Sequence, residues 1–136
     1  MKIFLFLVLA LSTLWGASIQ WEHDYTEGVK QVKTLNKPML FIVSSHHCRY
    51  CVQLESTTLK NPRVIQKVNA AYVPVIVYME DNPLFPRDLY VGGTPSTWFI
   101  KGDGHVMFEP LMGALDASSF LEALTIVTTE YKKISK

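Results

Sequence analysis

The chain has 136 residues, a length that suits one domain and is too short for two of ordinary size. With 49% apolar and 18% charged residues, its composition is typical of a globular protein and excludes a disordered one. It has 13 Lys and Arg residues against 12 Asp and Glu residues, and removing Lys2 with the N-terminal segment leaves the two equal. A neutral chain without a basic stripe gives no reason to expect binding to nucleic acid or to an anionic membrane.

The N-terminus has the layout of a secretory signal peptide. Met1-Lys2 is a short positive start, residues 3–11 form an unbroken apolar run, and Gly16-Ala17-Ser18 offers small residues for cleavage. The apolar run is shorter than the roughly 20 residues that a membrane-spanning helix needs. We therefore expect residues 1–18 to be a signal peptide and residues 19–136 to form a single exported domain. Retention of the segment as an uncleaved anchor is the alternative.

Four helices are predicted from capping residues and apolar spacing. Their starts are marked, in chain order, by Asp24, Cys48, Asn61 and Asp116. The second of them is expected to run as far as Lys60. The third carries a proline directly after its cap, which suits the first turn of a helix.

Short apolar runs predict the strands. Residues 39–43 and 72–79 are typical of strands buried on both faces. Residues 96–100 and 105–108 suit a hairpin, because Lys101-Gly102-Asp103-Gly104 between them is a turn signal. Taken with the helices, this order predicts an α/β fold whose central mixed sheet has helices on both faces.

The chemistry is expected at Cys48 and Cys51, the only two cysteines. A disulfide between them closes almost no loop, so it is a weak structural staple and calls for a functional explanation. Cys48 directly follows a buried strand and stands at the first turn of a predicted helix, where backbone amides stabilise a thiolate. The thiolate is the attacking species in disulfide exchange. We assign attack to Cys48 and resolution to Cys51, one turn further on.

Two motifs resemble the thioredoxin superfamily. Residues 41–51, FIVSSHHCRYC, are similar to its active-site strand and helix start, and residues 91–99, VGGTPSTWF, to its cis-proline loop and following strand. The likeness extends from Trp21 to the C-terminus and is strongest to bacterial periplasmic thioredoxin-like proteins and the soluble domain of disulfide interchange reductases. It implies a thioredoxin fold, a periplasmic location and protein disulfides as substrates. It also implies a cis bond before Pro95 and substrate contacts at Thr94 and Pro95.

The sequence departs from thioredoxin at three places. His47 replaces the tryptophan before the first cysteine, and Ile42 stands where thioredoxin has the buried acid that assists the resolving cysteine. Cys51 must therefore lose its proton to another group or to water. Arg49-Tyr50 replaces Gly-Pro, and the charge of Arg49 is expected to favour the Cys48 thiolate and a more oxidising disulfide.

Metal binding is the main alternative function. His46 and His47 join the two cysteines in offering four ligand types that zinc or copper accepts. Adjacent histidines rarely turn toward one ion, however, and no second ligand cluster follows. A redox-inert binding module is a weaker alternative, given the complete cysteine pair. The acidic pair Glu80-Asp81 is interpreted as a solvated turn.

The sequence thus predicts an exported thiol-disulfide oxidoreductase. No signature of an organic cofactor is present, and the domain is expected to be a monomer because it has no room for a dimerisation domain. The direction of electron flow stays open among reductase, oxidase and isomerase. We favour a periplasmic reductase of protein disulfides, for which a membrane-bound thiol protein is a candidate electron donor.

Overall fold

A four-stranded mixed sheet lies at the centre of the molecule, with strand order β2-β1-β3-β4. The computed structural model describes residues 17–135, so nearly all of the expected signal peptide lies outside the described residues. β1 is parallel to β2 and antiparallel to β3, and β3 is antiparallel to β4. The elements are α1 Tyr25–Leu35, β1 Met39–Ser44, α2 Arg49–Ser56, α3 Pro62–Ala71, β2 Val73–Tyr78, β3 Ser96–Ile100, β4 Leu111–Met112 and α4 Ala117–Ile134. Within residues 17–135, no helix combines the length and apolarity that a bilayer span requires.

The predicted caps begin three of the helices. The Asp24 carboxylate accepts a hydrogen bond from the amide of Glu27 at 2.9 Å, and Asp116 accepts one from Ser119 at 2.8 Å. Asn61 accepts from the amides of the second and third residues of α3. Such side chains satisfy amide groups that have no partner within the helix.

The sheet separates two hydrophobic cores. Because successive side chains of a strand point to opposite faces, Leu40 and Ile42 of β1 pack with α2, α3 and α4, while Met39, Phe41 and Val43 pack with α1. All six residues of β1 are buried. This is the α/β architecture, with helices on both faces of a mixed sheet, that the sequence predicts.

The second helix is shorter than predicted. α2 ends at Ser56, and a separate 3₁₀ turn covers Thr58–Lys60. The Thr57 hydroxyl donates to the carbonyl of Gln53, and the Thr58 hydroxyl donates to the carbonyl of Leu115. Two adjacent β-branched residues with competing side-chain hydrogen bonds explain the break.

The predicted hairpin is only partly formed. The turn at residues 101–104 is present, but residues 105–108 contribute a single bridge, between Val106 and Ile100. The strand that pairs with β3 is instead β4, which lies opposite Ser96 and Thr97. The returning chain has more residues than β3 between these pairings, so it bulges, and Pro110 in the bulge has no amide hydrogen to give to the ladder.

Candidate functional site

The two cysteines lie where β1 passes into α2. Cys48 is the N-cap of α2, and its sulfur accepts a hydrogen bond from the amide of Cys51 at 3.2 Å. A thiol at this position replaces the oxygen of an ordinary cap, and it faces the positive end of the helix. Cys48 is partly exposed, whereas Cys51 is completely buried, and both are free thiols. One thiol is therefore accessible to a partner and the other is shielded.

The second motif meets the first at Cys48. Its thiol donates a hydrogen bond to the carbonyl of Thr94 at 3.3 Å, although the two residues are 46 positions apart. The bond from Thr94 to Pro95 is cis, as the resemblance implies, and Pro95 is buried. The structure thus brings together four of the residues that the sequence selects.

The two thiols differ in acidity. Burial raises the pKa of Cys48, but hydrogen bonds with the Cys51 thiol, with Thr94 and with the amides of Cys51 and Tyr50 outweigh it and lower the pKa below its ordinary value. Burial also raises the pKa of Cys51, and its contact with Cys48 raises it further. Weaker hydrogen bonds from Thr94, Ser44 and the amide of Ser45 only partly oppose this. Cys48 is the thiol that ionises first.

The flanking residues selected from the sequence lie at the surface. His47, Arg49 and Tyr50 are exposed, and Tyr50 has 58% of its surface accessible. A hydrogen bond from the backbone of Tyr50 helps to lower the pKa of Cys48. All of the effects that lower this pKa are hydrogen bonds. These three side chains are thus exposed at chain positions that flank the accessible Cys48.

The four residues of the metal alternative do not converge. Between residues 17 and 135, no three His, Cys, Asp or Glu side chains are grouped so that they could hold a metal ion. His46 stacks on the ring of Tyr78, with centroids 3.9 Å apart and planes inclined by 10°. Its Nε2 atom is 4.0 Å from the carboxylate of Asp81.

Glu80 is a residue that the sequence interpretation missed. Its carboxylate accepts hydrogen bonds from the hydroxyl of Ser45 and from the amide of His46, the latter at 3.3 Å. The bond from Ser45 above all holds the pKa of Glu80 at about 2. Instead of standing in a merely solvated turn, Glu80 joins the end of β2 to the loop before Cys48.

Glu55 was missed as well. Ile42, at the position of the thioredoxin acid, is buried in the core. The carboxylate of Glu55 lies on α2 instead, where it accepts hydrogen bonds from Ser44 at 2.9 Å and from the Tyr78 hydroxyl at 2.5 Å. The available signal was the spacing of Cys51 and Glu55, because residues four apart share one face of a helix.

Comparisons with known proteins find relatives of this chain. A family model described as a thioredoxin-like domain matches residues 25–128. Anterior gradient protein 3 of Mus musculus is 30% identical over 83 residues, which are 60% of this chain and 50% of that protein. The Xenopus tropicalis protein of the same name is 29% identical over 83 residues, 60% of this chain and 51% of that protein. The chain therefore spans about half the length of these curated relatives.

Solved structures share the fold. A thioredoxin from Thermus thermophilus superposes with a TM-score of 0.72 at 24% identity, covering 88% of this chain and 94% of that one. The C-terminal domain of Neisseria meningitidis DsbD superposes with a TM-score of 0.63 at 22% identity, covering 74% of this chain and 90% of that one. At these identities the likeness is one of fold.

Proposed function

Because this chain belongs to the thioredoxin-like domain family, we propose that it is a thiol-disulfide oxidoreductase acting through Cys48 and Cys51. The observation that carries the proposal is the contrast between the two thiols. Cys48 is accessible, caps a helix and has a lowered pKa, whereas Cys51 is buried and has a raised one. A nucleophile and a resolving thiol need these opposite properties.

The reaction takes place in two exchanges. The Cys48 thiolate attacks one sulfur of a substrate disulfide, which forms a mixed disulfide and releases the other sulfur as a thiolate. The Cys51 thiolate then attacks the sulfur of Cys48, which forms the bond between the two cysteines and releases the second substrate thiolate. Two electrons pass to the substrate, so each cycle requires a dithiol donor to reduce the protein again.

Substrate contacts are proposed at Thr94 and Pro95. The carbonyl of Thr94 already accepts a hydrogen bond from the thiol of Cys48. A substrate chain that forms a mixed disulfide with Cys48 must therefore pass beside this carbonyl. Arg49 and Tyr50 follow Cys48 directly in the chain and are exposed, so their side chains are available to a protein substrate.

The direction of electron flow, the cellular location and the oligomeric state of the protein are also part of this proposal. We favour a reductase of protein disulfides in the periplasm, supplied with electrons by a membrane-bound thiol protein. The signal-peptide layout of residues 1–18 supports export. The described helices cover both faces of the sheet, which supports a monomer.

The reduction potential of the cysteine pair tests the direction. The mature protein is equilibrated with glutathione buffers, with Cys48→Ser as the control that cannot form the disulfide. A potential near that of thioredoxin, about −270 mV, is expected for a reductase. A value near −120 mV would instead identify an oxidase, and a pair that does not cycle would overturn the redox function itself.

Trapping of the mixed disulfide tests the assignment of the two thiols. Cys51→Ser cannot resolve the intermediate and is expected to accumulate covalent complexes with substrate proteins. Cys48→Ser leaves only the buried thiol and is expected to trap none. Equal trapping by both variants would contradict the assigned order.

A further inference from the structure

The two ends of the sheet carry different charges. β1 runs from Met39 to Ser44, where the cysteine loop begins, so the strand separates the two ends by roughly 17 Å at about 3.3 Å per residue. The acidic residues Glu80 and Asp81 follow β2 at the cysteine end. The end at Met39 instead gathers lysines from the loops and helix ends around it. We call these four residues the lysine pole: Lys33, Lys37, Lys101 and Lys132.

A surface hollow joins two of these lysines. Its volume is about 380 Å³, and Lys37 and Lys132 line it together with Asn36 and Tyr131. The hydroxyl of Tyr131 donates to the side-chain oxygen of Asn36 at 3.1 Å, which ties the end of α4 to the chain just before β1. This bond holds the two lysine-bearing segments side by side. An anionic group in the hollow therefore lies near a lysine side chain from each segment.

The other two lysines lie beside the loop that follows β3. A Cβ atom added at Gly102 of this loop would lie 3.9 Å from the Cγ atom of Lys33 on α1. Lys101 begins the loop and borders a second hollow, of about 270 Å³, which shares Asn36 and Tyr131 with the first. The four lysines thus belong to one surface at this end of the sheet.

Most of this positive charge is not neutralised by acidic side chains. The ammonium group of Lys101 is 3.3 Å from the carboxylate of Asp103. Between residues 17 and 135, no carboxylate lies within 4.0 Å of the ammonium groups of Lys33, Lys37 or Lys132. Because the chain without its N-terminal segment is neutral overall, the acidic residues that balance these lysines lie elsewhere. The folded domain therefore has a positive end.

Helix ends explain only part of this cluster. Lys33 lies in the last turn of α1 and Lys132 in that of α4, where a cation stabilises the negative end of the helix dipole. That effect falls off within one turn. Lys37 belongs to no helix, and it is half-buried without an acidic partner among residues 17–135. Its place beside the larger hollow indicates a partner of negative charge.

The chain enters the domain at the same end. The carbonyl of Ser18 accepts a hydrogen bond from the side chain of Asn69 at 2.8 Å. Asn69 directly precedes Ala70 and Ala71, which line the larger hollow. The apolar run of residues 3–11 precedes Ser18 in the sequence, and its retention as an anchor is the alternative that the sequence leaves open. An anchor joined to the domain at Ser18 would hold the lysine pole, and not the cysteines, next to a bilayer.

We propose that the lysine pole docks on a membrane surface of anionic phospholipids, with Cys48 facing away from the bilayer. This inference goes beyond the oxidoreductase function, since it concerns the opposite end of the sheet. Headgroup phosphates approach the ammonium groups, and one phosphate occupies the hollow between Lys37 and Lys132. Electrostatic attraction to the lipids decays over about 8 Å at physiological ionic strength. Only the charges at the facing end contribute, so binding also orients the domain.

Sedimentation with lipid vesicles measures this binding. The mature protein, residues 19–136, contains the whole described sheet and both cores, and it lacks the apolar run that would itself enter lipid. It is expected to bind vesicles that contain phosphatidylglycerol and not vesicles of phosphatidylcholine alone. The binding is expected to be lost in about 1 M salt, where the screening length falls to about 3 Å.

Lysine variants assign the binding to this surface. Lys37→Gln and Lys132→Gln are each expected to lower the vesicle partition coefficient about fivefold, since each removes one charge near the lipid. Lys37→Arg keeps the charge and is expected to bind as the unmodified protein does. The matched control is Lys60→Gln, which removes an exposed lysine that borders a hollow with Ser45 of the cysteine loop. This control is expected to leave the partition coefficient unchanged, and circular dichroism verifies that each variant is folded.

The reactivity of Cys48 tests the orientation. Iodoacetamide is uncharged, so the charge of the lipids does not change its concentration near the protein. Cys48 is expected to react with it at the same rate on anionic vesicles and in free solution. A slower reaction on vesicles would mean that the cysteine end faces the lipid, and the proposed orientation would be wrong.

The remaining outcomes decide whether lipid is the partner. Equal binding to both kinds of vesicle, or an equal loss of binding in Lys60→Gln and Lys132→Gln, would overturn the proposal. If polyglutamate binds the lysine pole and anionic vesicles do not, the surface serves an acidic protein and lipid docking is overturned as well. None of these results affects the redox function, which the reduction potential of the cysteine pair tests separately.

Discussion

The carboxylate of Glu80 accepts a hydrogen bond from the hydroxyl of Ser45, which joins the turn after β2 to the loop that leads into Cys48. The same carboxylate accepts a second hydrogen bond, from the amide of His46, the residue after Ser45. Glu80 thereby fixes the first two residues of the loop of residues 45–48. The position of the reactive sulfur depends on this loop, because Cys48 is both its last residue and the cap of α2.

The pair between Glu80 and Ser45 predicts a pH-dependent contribution to stability. The folded state lowers the pKa of Glu80 from an ordinary 4.5 to about 2. Because the pKa is lower in the folded state, the pair stabilises the fold above about pH 4.5 and loses this effect as the pH falls toward 2. Glu80→Gln should therefore lower the Tm at neutral pH, and the difference should shrink across that interval.

Thermal unfolding followed by circular dichroism over a series of pH values measures this effect. Glu122→Gln, which removes an exposed carboxylate on α4, is the matched control and should leave the Tm unchanged. A Tm difference for Glu80→Gln that stays constant from neutral pH to pH 2 would contradict the assignment.

The contrast between the thiols predicts selective alkylation. The lowered pKa of Cys48 should let it react with iodoacetamide at a pH below 9, the ordinary pKa of a thiol. Cys51 should remain unmodified there, because burial shields its sulfur and raises its pKa. Mass spectrometry of the peptide that contains both residues measures the two reactions. Modification of both thiols at similar rates would refute the contrast.

A buried hydrogen bond between Tyr72 and α4 predicts a loss of stability without loss of activity. The hydroxyl of Tyr72 donates to the carbonyl of Leu124 at 2.5 Å, far from the cysteines, and burial raises the pKa of Tyr72. Tyr72→Phe should lower the free energy of unfolding by about 1–2 kcal/mol, as for a lost buried hydrogen bond. Urea unfolding measures the change.

Tyr131→Phe is the control for this prediction. The Tyr131 hydroxyl donates to the side chain of Asn36 at the surface, where water can replace the bond. This variant should change the free energy of unfolding by much less than Tyr72→Phe. If both variants lowered the free energy of unfolding equally, burial of the hydrogen bond would not explain the loss of stability.

Close packing at Gly28 predicts that adding a methyl group there lowers the stability of the fold. A Cβ atom there would lie 2.5 Å from a methyl group of Val75, because α1 sits directly on β2 at this position. Overpacking of this kind costs about 1–3 kcal/mol, and the better helix propensity of alanine returns up to about 1 kcal/mol. Gly28→Ala should therefore lower the free energy of unfolding by about 1 kcal/mol.

Gly102→Ala provides the comparison in the same urea experiment. A Cβ atom at Gly102 would be 3.5 Å from Val32, an ordinary contact, and this glycine has no positive φ. The variant should be close to neutral. A stable Gly28→Ala protein would show that β2 can shift to accommodate the added methyl group.

Features that depend on local sequence could be predicted. The caps at Asp24, Asn61 and Asp116 need only the residues that follow them, and the apolar run of residues 39–43 suits a strand buried on both faces. The place of the reactive cysteine needs only the order of one strand and one helix. Each of these features is determined by residues that lie close to it in the sequence.

Features that depend on chain folding could not be predicted. The contact of Ser44 with Glu55 requires α2 to lie across the end of β1, and that of Ser45 with Glu80 joins residues 35 apart. Residues 105–108 look like a strand in the sequence, but the bulge before β4 takes the pairing to Leu111–Met112 instead. Each of these results from packing between distant segments.

The burial of β1 on both faces has a consequence for how long the reactive loop keeps its shape. Amide hydrogens in such a strand exchange with solvent only when a large part of the domain opens. Ser44 is its last residue, so the loop that carries the cysteine begins at a point that local fluctuations do not move. The sulfur of Cys48 can thus meet successive partners, each from an unchanged starting position, for as long as the domain remains folded.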